Sequence, residues 1–344
     1  MADLLKTLDR AELIKISRDF NYLSVTEDFV GLKLMPMVKT DNLKVAMYEL
    51  TQGHEIPVIA LVHALDSESR IGDRPNFEEF EASLFLIKEK INQGEELRKK
   101  IKNLGMNPSE DSIVKSIYND IANEITKVLV GFERRACEAL STAKLAIDEN
   151  NVKINVDYKL DANNKIDFTG WADPSHDIMA DLVALQNRAN DKIVRQIISK
   201  KVLGYILANN KLNTIAANDP QQGYLTRDYA LNYINRITGI TMKVDDRTFR
   251  TSYLNADGTP NKKQYRFFPE DVVISLTTDG EVGKTLMTST PTEDANQTDE
   301  KYGFVAVHQW ITDDPYTSWT KAEGEGLPVF YDINNTLFLS KITA

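Results

Sequence analysis

The segment Gly280-Glu281-Val282-Gly283-Lys284-Thr285 follows a strand-like run and ends in the Gly-Lys-Thr of a phosphate-binding loop. Such a loop works by wrapping backbone N–H groups around phosphates at a helix N-terminus. Here the spacing fails: the first glycine belongs five residues before Gly283, where Thr278 stands, and residues 286–293, with Pro291, do not read as a helix. His54-Glu55 opens a zinc-protease pattern, but Val58 occupies the second histidine position and Pro57 would break the helix that presents both ligands. His63, His176 and His308 stand singly, and with Cys137 as the one cysteine no compact N/S ligand set forms. Cys137 reads as a small buried residue beside Arg134-Arg135. There is no Gly-x-Ser-x-Gly elbow. The acidic pairs Asp313-Asp314 and Glu323 with Glu325, and the basic groups Arg98-Lys99-Lys100 and Lys262-Lys263 with Arg266, read as solvated charge. The expectation is a protein with no catalytic residues, no metal and no cofactor.

Composition narrows the class further. One cysteine in 344 residues excludes an internal disulfide framework and fits a reducing compartment. The N-terminus lacks a signal-peptide pattern, and no run approaches the roughly 20 apolar residues of a membrane span, so a soluble, cytosolic product is expected. The net charge of −10 argues against a protein that reads nucleic acid by neutralising phosphates. Residues 291–344 carry three lysines against nine carboxylates, so over half of the excess lies there.

The elements that would position any site are uneven along the chain. Residues 1–20 read as a short amphipathic helix, and residues 29–38, interrupted by Pro36, as an extended apolar stretch that needs a partner surface. Alternation around Val45 to Tyr48 and Val58 to Val62 predicts a long hairpin or loop with little core of its own. Residues 88–105 read as a solvated connection. Asn107-Pro108-Ser109-Glu110 then starts a helix of about 34 residues, with Ile113, Ile117, Ile121, Ile125, Val128, Leu129, Phe132, Ala136 and Leu140 on one face. At about 50 Å it is a strut. Beyond it the pattern predicts a hairpin of residues 153–158 with 165–168, a helix capped by Asp173-Pro174, a strand at 193–198, and a helix from Lys200 to about Leu207. A helix capped by Thr226 and stopped by Gly239 follows, then strands at 271–276, 303–311, 327–331 and 336–342.

An arm, a loop without a core, a strut and a mixed body suit a subunit completed by neighbours. The residues from Glu133-Arg134-Arg135-Ala136 through Leu140-Ser141-Thr142-Ala143-Lys144, with Phe168, Trp171, Asp173-Pro174, Asp181-Leu182, Phe268-Pro269, Asp314-Pro315 and Gly326-Leu327-Pro328-Val329, carry a resemblance. The chain resembles the lambda-type (protein E) family of tailed-phage major capsid proteins, which share the Hong Kong 97 capsid fold. It departs at Ala143, where that family commonly has glycine.

The resemblance implies an α+β fold with an N-terminal arm (1–44), an extended loop (45–85), a peripheral domain (86–174) with a spine helix at about 108–141, an axial domain (175–250) and C-terminal strands (251–344) returning to both domains. It implies a non-enzymatic major capsid protein that self-assembles into pentamers and hexamers of an icosahedral shell around double-stranded DNA, without sequence-specific binding. Portal, scaffolding and decoration proteins would be its partners, the host cytoplasm its place of assembly and the virion its destination, with no membrane involved. Phe29, Leu32, Leu34 and Met35 of the arm and Tyr48, Ile56 and Val58 of the loop are expected at the assembly interface. Ile117, Ile121 and Ile125 are better read as packing the subunit's own core. Two rivals stay open at this level: a cellular nanocompartment shell of the same fold, and a soluble α/β enzyme using nucleotide at residues 280–285.

Overall fold

The structure, a computed structural model, describes residues 27–41, 44–50, 77–93, 95, 110–220, 223–252, 259, 261–314 and 316–343. The expected helix at residues 1–20, the second alternating segment at 58–62 and the cap at 107–109 lie outside them. The chain divides into two compact units, one of residues 1–43, 84–137 and 283–329, the other of residues 44–83, 138–282 and 330–344.

The first unit is a six-stranded sheet against the strut helix, Glu110–Thr142. Its strands run in the order Met37–Lys39, Gly283–Thr288, Tyr316–Phe330, Val305–Asp313, Glu300–Tyr302, and Phe85–Gln93 also pairs with the long strand Tyr316–Phe330. The helix face predicted from its periodicity is the buried one: Ile121, Ile125, Val128, Leu129, Phe132, Ala136 and Leu140 are all buried. Its fit to the sheet depends on glycines. A Cβ on Gly324 would lie 3.0 Å from the Phe132 ring, and one on Gly131 would lie 2.9 Å from Ile87. Phe85 stacks on Phe132 with centroids 5.6 Å apart.

Strand Phe85–Gln93 corrects the reading of a solvated connection over residues 88–93; apart from Glu95, the remainder of 88–105 lies outside the described residues. Lys88, Glu89 and Lys90 are exposed, as their polarity suggested, yet their backbone is paired residue for residue with 318–326. Residues 29–38 also differ from expectation. Gly31–Leu34 forms one helical turn, and Pro36 ends it by holding Met35 at φ −132°, ψ 71°, outside the helical region.

The second unit has a mixed five-stranded sheet in the order Lys165–Thr169, Leu337–Thr343, Val272–Leu276, Arg195–Ile198, Thr241–Val244. Helices Ile178–Arg188, Lys200–Ala208, Asn210–Ala217 and Arg227–Thr238 surround a core built on Trp171, Leu182, Leu185, Val202, Ile206, Ile234 and Ile240. The Thr226 cap and the left-handed Gly239 stop (φ 74°) stand as predicted. Two other readings need correction. Asp173 holds Ser175 through two 2.8 Å bonds, while Asp177 caps the helix by accepting from the Ala180 N–H. Strand Val152–Asp157 pairs with Lys144–Glu149, not with 165–168. The reason is the two-residue turn Asn150-Asn151 (φ 50° and 65°), a geometry that asparagine tolerates. Lys165–Thr169 is thereby left to pair in parallel with Leu337–Thr343.

Besides the short ribbon of Thr248–Phe249 with Tyr265–Arg266, this unit holds two longer ones. One is the hairpin just described. The other pairs Lys44–Leu50 with Phe77–Ser83, from Lys44 opposite Ser83 to Leu50 opposite Phe77. Among the described residues its strands pair only with each other.

Candidate assembly surfaces

The arm is seated by one carboxylate. Glu133, fully buried on the strut helix, accepts the Val30 and Gly31 N–H groups on Oε1 at 2.8 and 3.0 Å and the Leu32 N–H on Oε2 at 2.8 Å. These are the N–H groups that a helical turn leaves without partners at its start. Gly31 permits the approach, since a Cβ there would lie 2.9 Å from the Ala136 methyl and 3.0 Å from Cys137 Sγ. The chain then adds Met37–Lys39 as a parallel strand beside Gly283–Thr288, with Thr285 Oγ1 donating to the Met35 carbonyl at 2.8 Å and Thr40 N–H donating to the Met287 carbonyl at 2.7 Å.

Phe29, Leu34 and Met35 are accordingly buried within their own unit, at 7%, 2% and 0% exposure, and Leu32 is partly exposed. The expectation that this stretch is covered only on assembly does not hold for those three side chains. Of the loop residues, Tyr48 lies on the ribbon strand opposite Glu79, whereas Ile56 and Val58 lie outside the described residues. Ile121 and Ile125 belong to the core, as the stronger sequence reading had it; the Ile117 side chain lies outside the described ones.

The face of the six-stranded sheet turned away from the strut helix carries a feature that the sequence reading missed. Gly324 meets the helix, so Ser318, Thr320 and Ala322 share its side, and Trp319, Lys321 and Glu323 point the other way. On that far face His308 stacks on Trp310 at 5.2 Å and Trp310 on its cross-strand partner Trp319 at 5.9 Å, while Lys90 Nζ sits 4.6 Å over the Trp319 ring. The signal was there as His308-x-Trp310 and Trp319-x-Lys321, two-residue spacings that place side chains on one face of a strand.

Two charge clusters flank this sheet. Glu323 accepts from the Thr292 N–H at 2.8 Å and from Lys321 at 2.9 Å. Burial pushes its carboxyl up, but the bonds from Thr292, Lys321 and Thr290 outweigh that and hold it below the ordinary glutamate value. Glu124 is the opposite case. It is fully buried, Lys127 reaches only its Oε1 at 2.6 Å, and Oε2 has no partner among the described residues. Burial outweighs the lysine and pushes this carboxyl up.

Among the described residues no group of three or more His, Cys, Asp or Glu is arranged to hold a metal ion, and no helix is long and apolar enough to cross a membrane. Residues 283–288 form a strand within the sheet, followed only by the four-residue turn Pro291–Asp294, so the loop at 280–285 opens no helix of the kind that cradles phosphate.

The sequence matches the model of the phage major capsid protein E family over residues 16–340. No curated protein matches it. Among solved structures, a candidate capsid protein of an E. coli CFT073 prophage is similar with a TM-score of 0.54 and 14% identity, over 78% of this chain and 80% of that one. A phage-related protein from Bordetella bronchiseptica RB50 is similar with a TM-score of 0.52 and 13% identity, over 94% of each chain. At such identities the likeness is one of fold, the mixed helix-and-strand fold of Hong Kong 97-like capsid proteins. With the family model spanning nearly the whole length, the chain belongs to the phage major capsid protein E family.

Proposed function

We propose that this capsid protein builds its shell as pentamers and hexamers of an icosahedral head around double-stranded DNA, assembling in the host cytoplasm with portal, scaffolding and decoration proteins, and that it performs no catalysis. The division into an arm (1–44), extended loop (45–85), peripheral domain (86–174), axial domain (175–250) and returning strands (251–344) belongs to the same proposal. The observation that carries it is the family match over residues 16–340. It is supported by the ribbon of Lys44–Leu50 and Phe77–Ser83, whose strands pair only with each other among the described residues. An isolated two-stranded ribbon is marginal in water, and in a shell a neighbouring subunit would give it a surface to pack on. Tyr48, Ile56 and Val58 stay proposed as interface residues on that ground, with Leu32 as the arm's partly exposed contributor.

The net charge of −10 fits a wall that contains DNA without holding it. Electron microscopy of the purified chain tests the proposal, with closed shells or capsomer rings expected. A monomer under all assembly conditions would overturn it. Shells from infected cells are expected to protect double-stranded DNA from nuclease; shells filled with protein instead would point to a compartment rather than a head.

A further inference from the structure

The short ribbon of Thr248–Phe249 with Tyr265–Arg266 carries two kinds of cation. The first kind is engaged at the ribbon's base. Arg247 reaches the buried Asp245 through Nε at 3.0 Å and a terminal nitrogen at 2.8 Å, and Arg266 pairs with Asp246 and, at 3.1 Å, with Glu270. The second kind has no counter-charge. Arg250, Lys262 and Lys263 are exposed, and among the described residues no carboxylate lies within ion-pair distance of them. In a chain of net charge −10, residues 247–266 hold these five cations against Asp257 alone.

The register gathers the unengaged three. Thr248 lies opposite Arg266 and Phe249 opposite Tyr265, so Arg250 leaves the ribbon, and Lys262 and Lys263 approach it, at the same end, away from the ion pairs at the base. An aromatic row stiffens that end. Tyr265 stacks on Phe249 at 5.7 Å and Phe249 meets Phe267 at 5.0 Å, while Arg247 lies 5.0 Å over Phe267 and Lys263 Nζ 4.9 Å over Tyr265, which holds the lysine charge in place.

We infer that this end of the ribbon touches the phosphate backbone of the enclosed double-stranded DNA without reading its sequence. This deepens the shell reading and rests on it. A duplex presents phosphates at short regular steps along both strands, so a few exposed cations on a narrow ribbon meet it in any register, whereas the carboxylates of a protein surface must be matched position by position. Three phosphates are a weak hold for one copy, and the repetition of the contact around a shell makes it collective. An acidic wall can thereby order the DNA beside it at a few points.

The full-length, unassembled chain and a fluorescent duplex of about 30 base pairs test this by anisotropy between about 50 and 200 mM salt. Three phosphate contacts give a slope of log affinity against log salt of about −2.7, a loss of about fortyfold across that range. The combined Arg250→Gln, Lys262→Gln and Lys263→Gln variant is expected to abolish the slope, and Lys262→Gln alone to reduce it by about 0.9. Lys88→Gln with Lys90→Gln, which removes two exposed cations of the other unit, is expected to leave it unchanged. Circular dichroism melts verify that each variant folds. A wild-type chain with no salt-dependent binding, or a triple variant that keeps the wild-type slope, would overturn the inference while leaving the shell reading in place. So would a triple variant that loses shell formation when neither it nor the wild type binds the duplex, a result that gives the three cations to an acidic surface of another copy. Duplex binding by a chain that forms no shells or rings would overturn the shell reading, and with it the role of the contact inside a head.

Discussion

Replacing Glu133 with glutamine keeps the side-chain volume and changes what the arm can be held by. In the native chain three N–H groups, those of Val30, Gly31 and Leu32, converge on its two oxygens at 2.8 to 3.0 Å in a fully buried setting. A glutamine can turn its oxygen toward Val30 and Gly31, but its NH2 then faces the Leu32 N–H, donor against donor. Bonds to a charged acceptor contribute about 1.5–3 kcal/mol and neutral ones about 0.5–1.5, so the two surviving bonds weaken by about 1 kcal/mol each, and the orphaned Leu32 N–H adds about 1–3. Removing a buried charge returns part of this through reduced desolvation, which leaves a net loss of about 2–3 kcal/mol. For a unit of this size that corresponds to a fall in melting temperature of about 5–10 °C.

The assay is urea denaturation of the unassembled subunit, followed by tryptophan fluorescence, with amide hydrogen exchange as the local readout. The Val30, Gly31 and Leu32 amides should exchange much faster in the variant, while amides in the sheet of the other unit keep their protection. Glu133→Ala should cost more than Glu133→Gln, since it strands all three donors and leaves a cavity. A glutamine variant within about 0.5 kcal/mol of wild type, or one whose arm amides stay protected, would refute the reasoning and show that the arm is held by its apolar contacts alone.

Three further outcomes are expected. A methyl group on Gly326 would lie 2.5 Å from the Leu286 carbonyl oxygen, a backbone atom of the same sheet, so Gly326→Ala should cost about 3 kcal/mol or more; Gly280→Ala, whose nearest neighbour is Thr278 Oγ1 at 3.5 Å, should leave the thermal midpoint nearly unchanged. Glu124 has a folded value raised by burial, so its contribution is fully present below the unfolded glutamate value and is lost as pH rises through the folded one. Glu124→Gln should therefore raise the melting temperature at pH 7–8 and change it little near pH 4, and an equal effect at both would contradict this. Glu323 carries the opposite sign, because its bonds from Thr292, Lys321 and Thr290 outweigh burial and lower its value. Its contribution is present above the unfolded value and lost as pH falls through the folded one, so Glu323→Gln should destabilise at pH 7 and converge on wild type near pH 3 in the same melting series.

What was legible in the chain and what was not divides by the range over which the deciding group acts. The strut could be read because its evidence is local: a 3.6-residue stripe from Ile121 to Leu140 needs no knowledge of what covers it. The helix between Thr226 and Gly239 was likewise bounded by its own caps. The pairing of Phe85–Gln93 was hidden because its partner lies more than two hundred residues on, at 318–326, and its exposed face is as polar as a linker. The strand 165–169 was assigned to the wrong neighbour for a related reason, since its true partner is at 339–343 and the competing turn at Asn150-Asn151 contains no glycine to mark it. The arm is the most instructive case. Its sequence states that residues 29–35 are apolar, but not whose surface covers them. That is settled by Glu133, about a hundred residues away, an ordinary helix-surface residue type turned inward at this one point. Once Phe29, Leu34 and Met35 are covered at home, those three side chains no longer demand a neighbour's surface.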